Sequence, residues 1–133
     1  MKKYEVLEHP ADLKIVSYGK NLDEVFSHML FGMFKSCRPV LTSEKVKRKI
    51  ILNAENKESL LVNFLSEALS LSDINDEVYF EAKFDKLTEK CLEGEIKGFK
   101  IESLGLEIKA VTWHDLRFEK KNDFLEAVVL FDI

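Results

Sequence analysis

The sequence predicts a single α+β domain over residues 1–133, with two amphipathic helices packed on mostly antiparallel β-sheet. Three observations carry this expectation. Apolar residues recur at helical spacing in two segments, Leu22 to Phe34 and Leu60 to Leu69. The second half of the chain alternates apolar and polar residues between short polar turns, as antiparallel strands do. The last stretch, Glu126-Ala-Val-Val-Leu-Phe-Asp132-Ile133, sets bulky apolar residues on both faces, which marks a strand covered on both sides.

In chain order, Tyr4 to Glu8 forms a short strand that breaks at His9-Pro-Ala-Asp12, because Pro10 has no amide hydrogen for a ladder. Leu13 to Tyr18 alternates and ends at Gly19, a second strand with His9 and Asp12 at its entrance. Asn21-Leu-Asp-Glu24 is close to a capping box. The helix behind it carries Leu22, Val25, Phe26, Met29, Leu30, Met33 and Phe34 on one stripe, with His28 opposite as a surface histidine. Pro39 closes the following loop, and an extended pattern resumes from Val46 to Ala54. Its start, Lys45-Val-Lys-Arg-Lys49, is the one basic cluster in the chain. Such a strand can contact phosphates, but lysines on an exposed strand also discourage edge-to-edge pairing, which is the reading favoured here.

A second helix is expected from about Glu58 to Leu71, with Glu67 beside its apolar stripe and a polar break from Asp73 to Asp76. Val78 to Phe84 then alternates as a half-buried strand. The strand Leu92 to Phe99 carries Gly94 and Gly98, which signal a bulge or a close backbone approach. Ile108 to Trp113 and Phe124 to Phe131 are expected hairpin partners across the turn Lys120-Lys-Asn-Asp123.

Composition bounds the function. A chain of 133 residues fits one domain that can bury a core without staples, and 46% apolar with 33% charged residues is ordinary for a soluble globule. The net charge of −4 excludes a whole-molecule attraction to nucleic acid, so any contact with RNA must be local or made through a partner. Cys37 and Cys91 stand far apart without Cys-x-x-Cys spacing, so neither a disulfide framework nor a cysteine zinc site is expected. The first residues lack the apolar region of a signal peptide, and no apolar run approaches the ~20 residues that span a bilayer. The expected location is the cytoplasm.

The candidate site lies at the ends of two strands. If the last strand is central, the Asp132 side chain and the α-carboxylate of Ile133 sit at one edge of the core. Close anions repel and resist ionising unless a positive group joins them, so a hard cation with oxygen ligands, or a lysine, suits the place. Lys109 lies in an otherwise apolar strand and shares a face with Val111 and Trp113 at period 2, so its ammonium must snorkel or find an anion. If the last two strands pair, Asp132 or the chain terminus can supply it. His114, just past that strand, is a weaker candidate.

His9-Pro-Ala-Asp12 followed by a strand and an amphipathic helix, Leu60-Leu-Val-x-Phe-Leu-x-Glu67, Ile108-Lys-Ala-Val-Thr-Trp-His114 and the terminal Leu130-Phe-Asp-Ile133 together resemble the archease family. The resemblance runs in order over nearly the whole chain. The family usually carries threonine where this chain has Pro10, so a hydroxyl and an amide that could orient His9 are lacking here.

The resemblance implies an activator of the RtcB-type RNA ligase, which joins 2′,3′-cyclic phosphate and 5′-hydroxyl RNA ends in tRNA splicing and repair. It implies no catalysis by this chain itself. The protein would promote guanylylation of the ligase and its repeated turnover, with GTP in the ligase site and tRNA met only through the ligase. It implies a metal site at Asp12, Asp132 and the terminal carboxylate of Ile133, with Lys109 required for activation. His9, Glu67 and His114 are weaker candidates from the residues themselves, where a surface glutamate and a packed histidine are the favoured readings of Glu67 and His114. An all-oxygen site suits Ca²⁺, Mg²⁺ or Mn²⁺ better than Zn²⁺. Two alternatives stand beside it. One is a metal-dependent phosphoester hydrolase with His9 or His114 as base, though no Gly-rich phosphate loop or base-flanked nucleophile is present. The other is a general chaperone or RNA-binding module.

Overall fold

The computed structural model describes residues 2–8 and 10–133. Along the chain run β1 (Tyr4–Glu8), β2 (Asp12–Gly19), α1 (Leu22–Ser36), β3 (Pro39–Asn53), α2 (Lys57–Asn75), β4 (Glu77–Leu87), β5 (Cys91–Leu104), β6 (Ala110–Lys120) and β7 (Leu125–Asp132). The strands form two antiparallel sheets, ordered β1-β2-β7-β6 and β3-β5-β4. Each helix touches both sheets, so one core joins all the elements. The α+β expectation holds, and β7 is central: Ala127 to Phe131 are buried without a break.

Both helices start where a side chain satisfies a free amide. Asn21 Oδ1 accepts from the Glu24 amide at 3.0 Å, and Glu24 Oε1 accepts from the Lys20 amide at 2.8 Å. Asn56 Oδ1 accepts from the Ser59 amide at 2.8 Å. Such caps each stabilise a helix by about 1 kcal/mol. Between the sheets Phe26 meets the rings of Phe64, Phe84 and Phe118, with centroids 5.7, 6.3 and 6.5 Å away.

Two boundaries and one burial differ from the sequence expectation. Pro39 opens β3 rather than closing a loop, because the missing amide costs nothing at the first residue of an edge strand. The helix α2 continues through Asp73 to Asn75, where a polar break was expected. Asp76 caps it in the left-handed conformation (φ 55), its amide donating to the Ser72 carbonyl. His28 is half-buried rather than on an open surface, since its Nδ1 lies 2.5 Å from the Tyr18 carbonyl oxygen of the adjacent β2.

The second sheet is clamped by a charged cluster. Glu77, fully buried on β4, receives two hydrogen bonds from Arg48 of β3 at 2.9 and 2.7 Å and one from the Tyr79 hydroxyl at 2.6 Å. Lys100 of β5 stands 3.8 Å from the same carboxylate. The Arg48 hydrogen bonds outweigh burial and hold the Glu77 carboxyl below its usual range. Gly94 and Gly98 do mark close approach: β4 slips register opposite each of them, and a Cβ on Gly98 would stand 1.7 Å from the Val78 carbonyl oxygen.

Candidate metal centre

The strand β2 begins at Asp12 and the antiparallel β7 ends at Asp132, so the pairing brings together residues from near opposite ends of the chain. The two are direct register partners. Directly opposite residues of an antiparallel pair share a face, with Cβ atoms about 4.5–5.5 Å apart, and like charges so placed destabilise the sheet. On its other side Asp132 pairs with Ala110 of β6. The Lys109 amide donates to the Asp132 carbonyl at 2.7 Å, which ties the start of β6 to the same point.

Asp132 is exposed and Ile133 half-buried, its side chain packed against the core. Asp12 is half-buried, and its Oδ1 is out of contact with water and without a hydrogen-bond partner among the described residues. A buried carboxylate oxygen without a partner is costly. Beside a second carboxylate, what would satisfy it is a cation, and an all-oxygen pair fits a hard one. The donor set is small, however. Among the described residues no group of three or more His, Cys, Asp and Glu side chains gathers to hold a metal.

Lys109 stands differently from the expectation. It precedes β6 by one residue and is exposed, rather than sharing a buried strand face with Val111 and Trp113. The reason is the turn before it, where the Gly105 and Leu106 amides donate to the Cys37 carbonyl at 2.9 and 3.0 Å and Ile108 is the residue that buries. Among the described residues no ion pair involves Lys109. It borders a cleft of about 720 Å³ between α2 and the segment before β6, with Leu69, Asp73, Glu107 and Ile108 among the lining residues.

Neither His114 nor Glu67 is drawn to the carboxylate pair. His114 is exposed in a bulge of β6, where the register with β7 slips between Thr112 and Arg117 and Asp115 turns left-handed (φ 57). Its Nε2 lies 3.7 Å from Asp115 Oδ2. Glu67 is exposed on α2 and does not line the cleft, although its neighbour Ser66 does. His9 lies outside the described residues. One residue was passed over in the sequence: Lys14 shares the outward face of β2 with Asp12, half-buried opposite Leu7 and Leu130. The alternation of β2 itself was the signal for it.

Comparison with known proteins agrees with this arrangement of elements. The model of the Archease protein family matches residues 4–133. Protein archease of Methanosarcina mazei is 35% identical, covering 99% of this chain and 97% of its own length. Protein archease of Pyrococcus abyssi is 38% identical over 92% of each chain. The solution structure of protein 1598 of Methanobacterium thermoautotrophicum superposes with a TM-score of 0.69 at 26% identity, covering the whole of both chains. The crystal structure of a Thermotoga maritima archease, described as a possible chaperone, shares the fold with a TM-score of 0.70 at 23% identity, over 96% of this chain and 94% of that one. With a family model spanning nearly every residue and relatives above 30% identity along almost their full length, this chain belongs to the archease family.

Proposed function

We propose that this chain activates an RtcB-type RNA ligase in the cytoplasm, in tRNA splicing and RNA repair, by presenting its acidic tip to the ligase active site. The observation that carries the reading is the register pair Asp12–Asp132, with an Asp12 oxygen that has no hydrogen-bond partner among the described residues. Asp12, Asp132 and the α-carboxylate of Ile133 would hold a divalent cation of the Ca²⁺, Mg²⁺ or Mn²⁺ class. When bound, the cation would supply positive charge that neutralises nucleotide phosphates. The strand pair sets the two aspartates in direct register, and the exposed side chain of Lys109, whose amide donates to the Asp132 carbonyl, would add a positive charge to the tip. GTP and RNA ends stay on the ligase, and this chain makes and breaks no bond itself.

The test is a ligation time course with the ligase, GTP, divalent metal and excess RNA ends, with this protein in substoichiometric amount. Product rising well past one turnover per ligase only in its presence supports the reading. An unchanged trace sinks it, as does full activation by the Asp12→Asn and Asp132→Asn variants. Hydrolysis of generic phosphoesters by the isolated chain would replace it with the metal-dependent hydrolase.

A further inference from the structure

The lysines of β3 lie on an edge strand, where they discourage edge pairing, but the fold gives them company. The strand β3 pairs with β5 so that Lys47 stands directly opposite Lys97 and Lys45 directly opposite Phe99. These four residues therefore share one face of the second sheet, with Lys49 two residues further along. Lys47 and Lys97 are a like-charge cross-strand pair, an arrangement that costs stability unless an anion relieves it.

Carboxylates on this face offset the charge only in part. Glu81 lies opposite Lys97, and Glu95 lies opposite Lys49 and 3.7 Å from Lys97. Among the described residues no ion pair reaches Lys45, Lys47 or Lys49. A hollow of about 500 Å³ opens here, lined by Lys45, Lys47, Lys97, Glu81, Phe99 and Phe80 among others. Phe80 is the residue that the β4 bulge opposite Gly98 leaves unpaired. Phe99 is half-buried and, among the described residues, not packed against the hydrophobic core.

Alternate residues of a strand lie about 6.8 Å apart, so the lysines make a ladder of cations beside an aromatic surface. An acidic peptide would use the lysines and leave Phe99 idle. A duplex would meet the lysines but hide the faces of its bases. A single strand uses both, its phosphates on the lysines and a base on the ring. We infer that this lysine-and-phenylalanine face of the β3-β5-β4 sheet binds single-stranded nucleic acid. It lies on the other sheet from the Asp12–Asp132 pair, so the inference stands independently of the ligase reading.

The test is binding of a fluorescein-labelled oligouridylate to the full chain, followed by anisotropy over a range of salt. The slope of log K against log salt is expected near −2, since three lysine–phosphate contacts contribute about −0.7 each. The Lys47→Ala/Lys97→Ala double variant should flatten the slope toward about −0.7 and weaken binding about ten-fold or more at low salt. Phe99→Leu should weaken binding about five-fold or more with the slope unchanged. Lys120→Ala, an exposed lysine of the other sheet, should leave both intact, with circular dichroism confirming the fold of every variant. Absence of salt-dependent binding overturns the inference. So does a double variant that folds and binds as wild type, or polyglutamate binding as tightly as the oligouridylate with Phe99→Leu indifferent to either.

Discussion

Asp12 and Asp132 oppose each other across β2 and β7 in direct register, and one oxygen of Asp12 lacks a partner among the described residues. The sheet thus holds two like charges together at its end. Without metal, Asp12→Asn should leave thermal stability unchanged or raise it by about 0.2–1 kcal/mol, because it removes a like-charge cross-strand pair. Ca²⁺, Mg²⁺ or Mn²⁺ should raise the Tm of the wild type, by about 2.7 kcal/mol of stabilisation at ~100-fold excess over Kd. The same ions should leave Asp12→Asn unshifted. Thermal melts with and without each ion check this, and an ion-insensitive wild type would remove the metal from the account.

The backbone and the side chain of Lys109 stand in different places. Its amide holds Asp132, whereas its side chain is exposed at the cleft. Lys109→Ala should therefore change stability by less than about 0.5 kcal/mol while multiple-turnover ligation falls to the level seen without this protein. Chemical denaturation run beside the ligation time course distinguishes loss of function from loss of fold.

The Glu77 cluster sets the acid limit of stability. Its carboxyl is held below the ordinary value of 4.5, first by the Arg48 hydrogen bonds. A depressed folded-state value contributes stability that is present above the unfolded value and lost as pH falls through the folded one. The wild type should therefore lose Tm steeply below about pH 4.5, where the unfolded carboxyl begins to take up its proton. Glu77→Gln should be less stable at neutral pH, since it removes the carboxylate that accepts from Arg48 and Tyr79, and should show a flatter acid limb. Equal acid limbs for the two proteins would refute the assignment.

Gly98 is required by geometry rather than by turn conformation. Its φ is ordinary for any residue, but a Cβ there would overlap the Val78 carbonyl oxygen at 1.7 Å. Gly98→Ala should cost about 3 kcal/mol or more by forcing β4 and β5 apart, read as a lower urea midpoint. Phe99→Leu, on the neighbouring position but outside the core, should cost far less.

Periodicity and local chemistry settled much of this protein in advance. The cap at Asn21 and the stripes of α1 and α2 are local, because a capping side chain and a 3.6-residue repeat act within a few turns of chain. The unbroken apolar run of β7 likewise marks a strand covered on both faces, and the sheet order makes it central. Polar residues do not by themselves end a helix: α2 runs on through Asp73 to Asn75, since an exposed face tolerates them, and stops at the left-handed cap Asp76.

The candidate site divides the same way. Asp132 and Lys109 stand out in the sequence as charges in apolar surroundings, so they are legible there as candidates. That Asp12 faces Asp132, that the Lys109 backbone rather than its ammonium holds that point, and that Lys97 and Phe99 join the β3 lysines are matters of strand register. Register joins residues distant in the chain through hydrogen bonds that carry no residue identity. It is decided when the two sheets close over one core, because a slip of one residue would turn every apolar side chain of a strand to the wrong face.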